Sequence, residues 1–185
     1  MAACELSYGN RLVENSSRGL IAELIVKLAI GPHWTHCSQD WRAWDFEHDS
    51  GARLEVKQTA LIQTWDSYAP PKKPRVPSFN IEPSTGHYVG SAWHKQPGRK
   101  ADLYVFAFHG LTDPSVADHR DPAQWRFHVV PTSKLPETKT IRLGSNRPGS
   151  VTVSSLSECL EWLQLSDAVE EARLRLQTLI CQTLK

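Results

Sequence analysis

The turn Asp49-Ser50-Gly51 constrains this chain more than any other feature, because it fixes which residues face each other on either side. Gly51 suits the left-handed position that closes a three-residue hairpin loop. Strands are expected over about 42–48 and 52–58, with His48 against Ala52, Phe46 against Leu54 and Trp44 against Val56. Side chains alternate along a strand, so these four large apolar residues share one face. The other face sets Glu47 against Arg53, Asp45 against Glu55 and Ala43 against Lys57. The first is a favourable cross-strand pair. The second opposes two carboxylates and destabilises the hairpin by up to about 1 kcal/mol. The pattern is either a solvated strand face, on which an E-x-K triplet is common, or a face built to hold a cation.

A cation between Asp45 and Glu55 would relieve that repulsion. Hard oxygen donors suit Mg²⁺, which takes one or two carboxylates and keeps several waters. Lys57 lies on the same face as Glu55 and could reach a water or a phosphate oxygen. A metal, two carboxylates and a lysine are the parts of metal-assisted phosphodiester hydrolysis.

Along the rest of the chain, "SSRGLIAELIVKLAI" (16–30) reads as a helix capped by Ser16 or Ser17 and stopped at Gly31-Pro32. Its apolar face is expected to be Leu20, Ile21, Leu24, Ile25 and Leu28. Residues 59–67 fit either a continued strand or a short helix. Six prolines between 69 and 100 mark a long irregular excursion, and loops of that length are commonly functional or mobile. "ADLYVFAFHG" (101–110) and "QWRFHVVP" (124–131) are buried strands, and "TIRLG" (140–144) is a short one. Ser155 and Glu158 form a capping-box pattern, and a last amphipathic helix is expected over about 166–183. This order predicts an α/β (α+β mixed) fold, a central mixed sheet of four to five strands flanked by helices. The length of 185 residues suits a single domain over 1–185.

The spacing of Asp45, nine residues, then Glu55-Val56-Lys57 resembles the PD-(D/E)XK nuclease superfamily, with its restriction-endonuclease-like fold. Trp44 stands where the motif's name has Pro. The resemblance covers roughly residues 16–109. It implies that Asp45 and Glu55 bind a catalytic Mg²⁺, for which Mn²⁺ substitutes, that the Val56 carbonyl is a further metal ligand, and that Lys57 assists the attacking water. Gln58 follows the lysine, as a Gln often does in that family, and the helix carrying Glu23 resembles one that bears an acid. Glu23 has a second meaning, an i, i+4 salt bridge with Lys27, and Glu14 is an alternative acid for the same role.

Charge distribution adds a partner. Net charge is +1, but Pro70 to Lys100 holds six cations (Lys72, Lys73, Arg75, Lys95, Arg99 and Lys100) against one acid, Glu82. That local balance of +5, set against −4 for the rest, suits contact with a phosphate backbone. Trp93 lies in the same stretch. The partner expected is DNA, with RNA open, and a homodimer if both strands are cut. The four cysteines are widely spaced, without a C-x-x-C, which fits a reducing compartment and argues against a zinc ribbon. The longest apolar run, Gly19 to Ile30, is broken by Glu23 and Lys27 and is too short to span a bilayer. A soluble, cytoplasmic protein without a membrane partner is the expectation.

Overall fold

The computed structural model describes residues 5, 8–38, 42–67, 73–89, 91–145 and 147–183. In chain order the elements are α1 (Asn15–Ile30), β1 (Trp34–His36), β2 (Phe46–His48), β3 (Arg53–Ala60), β4 (Ser78–Asn80), β5 (His87–Val89), β6 (Ala92–His94), β7 (Leu103–His109), β8 (Trp125–Pro131), β9 (Thr140–Arg142), α2 (Val153–Leu156) and α3 (Leu165–Thr183). Five strands form one mixed sheet in the order β1-β2-β3-β7-β8. Only β3 and β7 are parallel neighbours; the other pairs are antiparallel. The expected mixed α/β class holds, with five strands.

β7 explains itself from the sequence. It is hydrogen-bonded on both edges and covered on both faces, so nearly every residue in it is apolar. On one face, α1 and α3 pack over Trp34, Phe46, Leu54, Val56, Val105 and Phe127. On the other, Phe79 and Ile141 of the separate β4–β9 ribbon cover Tyr104, Phe106 and Val130. "TIRLG" thus forms a strand, but outside the main sheet. Burial of each large apolar side chain contributes about 1.5–3 kcal/mol.

The helix ends differ from expectation by small, explicable shifts. Glu14 caps α1: its carboxylate accepts from the N–H groups of Ser16 (3.1 Å) and Ser17 (2.8 Å). The longer Glu side chain reaches the same orphan donors that a Ser cap would serve, and they hold its carboxyl below the usual range. Its buried stripe is Arg18, Ile21, Ala22, Ile25, Val26 and Ile30, while Leu24 and Leu28 are exposed. Arg18 joins the stripe through hydrogen bonds to Gln58 (2.9 Å) and Gln63 (3.0 Å). α2 starts earlier than Ser155, because Thr152 caps it and Ser155 closes the box from the third position.

A parallel pair needs a crossover, usually a helix. Here residues 61–102 make it, and among the described residues of that span there is no α-helix. After β3 the chain turns through a short 3₁₀ segment at Thr64–Ser67, joins β4 to β9, and then projects the β5–β6 hairpin. Among the described residues no helix is long and apolar enough to cross a membrane.

Candidate active site

Gly51 closes the β2–β3 turn with φ +84°, and Phe46 pairs with Leu54 and Glu47 with Arg53, in the register expected. His48 N–H donates to the Ala52 carbonyl at 2.8 Å. At Asp45 the ladder changes. Its N–H donates to the carbonyl of Leu54 (3.0 Å), the residue already paired with Phe46. Two residues therefore oppose one, which is a bulge, and bulges re-aim side chains. The Asp45 carboxylate does not stand directly opposite Glu55. Its Oδ2 accepts the N–H of Val56 at 2.7 Å, taking the place of a ladder bond where β2 leaves β3.

The bulge also corrects Trp44. It does not join Phe46, Leu54 and Val56 but lies in the second core, stacked under Arg53, whose Cζ is 4.0 Å from the ring centroid. Trp44 Nε1 donates to Glu47 (3.1 Å), and Arg42 rather than Arg53 forms the ion pair with Glu47 (2.9 Å).

Beyond the bulge, β3 presents Glu55 and Lys57 on the face opposite Leu54 and Val56. Lys57 Nζ donates to Glu55 Oε1 at 2.5 Å, with the two side chains 32% and 16% exposed. Burial, then the charges of Glu55 and Glu23, push the Asp45 carboxyl up to about 8. Burial also raises Glu55, against the pull of Lys57. The ammonium of Lys57 is disfavoured by burial, yet Glu55 outweighs that and holds it above its ordinary value. Tyr104, opposite Glu55 on β7, is pushed up to about 12 by burial and by Glu55.

Glu23 is not paired with Lys27. Lys27 turns to the end of its own helix, donating to the carbonyls of Gly31 (2.8 Å) and Trp34. Glu23 Oε2 meets His36 Nε2 and the Ser38 hydroxyl, each at 2.7 Å, and Ser38 also meets His36 Nε2 at 2.8 Å. Both contacts to the ring fall on the same nitrogen, so this is no Ser–His–acid relay, which uses both ring nitrogens. It anchors Glu23 near enough to act on Asp45.

Gln58 points to the opposite face. It accepts from Arg18 Nε (2.9 Å) and donates to Asn15 (3.2 Å), joining strand to helix rather than lining the site. The Val56 side chain faces the core, so only its backbone can serve the site, and its N–H is used by Asp45.

A cleft of about 460 Å³ opens over Asp45, Glu55 and Lys57. The 70–100 excursion forms much of its far wall, including Tyr88, Trp93, Arg99 and Lys100, and Arg42 lies at its side. Of the six expected nucleic-acid contacts, Arg99 and Lys100 reach this cleft. Arg99 is largely committed to the fold, donating to the carbonyls of Ile81 (3.0 Å) and Pro136 (2.7 Å). Arg75 is likewise engaged, with both Asp66 oxygens (2.5 and 2.8 Å). Lys73 and Lys95 are exposed away from the lining, and Lys72 lies outside the described residues. Tyr88, Tyr104, His87 and Arg42 were not singled out from the sequence. Their only signal is proximity, which strand pairing creates.

These donors fit a small hard cation. Among the described residues no group of three or more His, Cys, Asp or Glu is placed to hold a metal. A Mg²⁺ ion, however, needs only one or two carboxylates with water completing its shell. Asp45 and Glu55 each spend one oxygen on an N–H donor, and their second oxygens accept nothing else among the described residues. Burial is the first reason that both carboxyls lie above their ordinary values. Compared with family models, with curated proteins and with solved structures, the chain matches none.

Proposed function

We propose that this chain is a Mg²⁺-dependent endonuclease that hydrolyses phosphodiester bonds in DNA. The observation that carries the reading is the pair of partly buried carboxyls Asp45 and Glu55 beside Lys57, in a cleft with basic residues in its wall. Asp45 and Glu55 would hold the ion, with the Val56 carbonyl as a further ligand. When bound, Mg²⁺ would acidify the attacking water and offset the charge that builds on phosphorus oxygens. Lys57 acts as a cation here. Glu55 keeps it protonated, so it orients the water or holds a phosphoryl oxygen rather than removing a proton. Glu23, fixed by His36 and Ser38, adds negative charge behind Asp45 and so favours cation binding there. Arg42 and Lys100 offer positive charge to the substrate backbone. Cutting both strands with one site per chain suits a homodimer. Nucleic acid as substrate, with widely spaced cysteines, suits the cytoplasm.

The test is a cleavage assay on DNA and RNA with Mg²⁺ or Mn²⁺, run beside calorimetric metal titration. Asp45→Ala and Glu55→Ala are expected to lose both metal binding and cleavage. Lys57→Ala should keep the metal and lose about 100-fold or more in rate. A protein that binds the metal but cuts nothing, at several salt concentrations, would leave a silent binding module in place of the enzyme. Normal cleavage by Asp45→Ala would remove the site assignment.

A further inference from the structure

Among the described residues the β5–β6 hairpin pairs with no strand outside itself, yet it carries two large aromatic side chains that solvent reaches. Trp93 is 51% exposed and Tyr88 43%. They are cross-strand partners on one face, with ring centroids 5.1 Å apart and planes tilted by 67°. Both belong to the lining of the cleft above Asp45, Glu55 and Lys57. Gly86 lies against Trp93: a Cβ there would fall 2.6 Å from the indole and would also clash with the His94 carbonyl, so the ring occupies space that a side chain at residue 86 would need.

An aromatic face and flanking cations in one cleft suit an unstacked nucleobase. Stacking on Tyr or Trp accepts any base, because every base has a π face, while the cations follow the backbone. A base inside a duplex has its faces covered by its neighbours and cannot use such a surface. We propose that Tyr88 and Trp93 form a stacking platform for an unpaired nucleobase, so that the cleft selects single-stranded or locally unpaired nucleic acid over a continuous duplex. The inference rests on the nuclease reading for the identity of the ligand, but it concerns binding and not the chemical step.

The test separates the two. Binding is measured by fluorescence anisotropy in chelator, where no metal-dependent cutting occurs, with labelled single-stranded DNA, single-stranded RNA and the matching DNA duplex. Wild type, Trp93→Phe and the double variant Tyr88→Ala/Trp93→Ala are compared, with circular dichroism as a check on folding. Single strands are expected to bind at least about 10-fold tighter than duplex, and the double variant to lose about 10-fold or more for single strands alone. Trp93→Phe keeps an aromatic face and should retain most of the affinity. The DNA and RNA arms decide which backbone is preferred. Equal or tighter duplex binding, an equal loss on both substrates, or a Trp93→Phe loss as large as the double variant's would each overturn the platform. Mg²⁺-dependent cutting of duplex that survives the double variant would also overturn it while leaving the nuclease reading intact. Single-strand binding that depends on the pair, without cutting, would do the reverse.

Discussion

Asp45 sits between a donor that favours its charged form and a burial that opposes it. The Val56 N–H pulls its carboxyl down, while desolvation, Glu55 and Glu23 win and leave it near 8. In the unfolded chain the same group titrates near 3.8. Across that window the folded state binds the extra proton, so stability falls as pH rises from about 4 to about 8. Melting temperatures measured in chelator should show this fall, and Asp45→Asn, which needs no proton, should flatten it; an unchanged slope would show that Asp45 is not the group responsible. The identities of Asp45, Glu55 and Lys57 were legible in the sequence because they depend only on a turn and an alternation. The aim of the Asp45 carboxylate was not. Alternation assumes an unbroken ladder, and the second residue opposite Leu54 breaks it, sending Trp44 to the far core. Gln58 was misplaced for the opposite reason: alternation held, and put it on the helix side with Arg18 and Asn15.

At the scale of elements, the hairpin turn is the most exacting joint. Gly51 holds φ +84°, and a Cβ there would meet nothing within 4 Å. Gly51→Ala therefore costs conformational energy alone, about 1–2 kcal/mol, which a shift in the urea midpoint would reveal. An undisturbed midpoint would mean the turn relaxes to another geometry. Because Glu55 and Asp45 are brought together by this turn, the same variant should also weaken metal binding. β7 and β8 were readable as apolar runs because partners cover them. β1 was not, since three residues, Trp34 to His36, are too few to show a period. The buried stripe of α1 was rotated because hydrophobicity alone cannot tell Leu24 from Val26. The packing of α1 against β3 and α3 decides that.

Over the whole molecule, the main sheet ends in a buried polar group that the sequence did not announce. His109 and His119 are fully buried, with ring centroids 4.8 Å apart and Arg18 close by. Burial, His109 and Arg18 lower His119 to about 3, while Asp118 acts the other way. An unfolded histidine takes its proton near 6.5, so stability is complete above that value and is lost as pH falls toward 3. This tilts the profile against that of Asp45, and only variants separate the two. Between pH 7 and 4.5, His119→Asn should lose less of its urea resistance than wild type; an equal loss would place the acid sensitivity elsewhere. The general plan of helices on a five-stranded sheet was legible from the order of runs, whereas the crossover's fold was not, because its cations Arg75 and Arg99 look alike in sequence whether they face solvent or hold carbonyls. One joint in that crossover has a wider meaning. Ser84 and Gly98 are tied to each other by both backbone and side chain, at 3.0 and 2.9 Å, so residues 85–97 hang from a closed neck. Such a loop can be exchanged for another without re-threading the chain, and Asp45, just before β2, with Glu55 and Lys57 on β3, would be inherited unchanged. The wall of the cleft can then diversify separately from the charged residues beneath it.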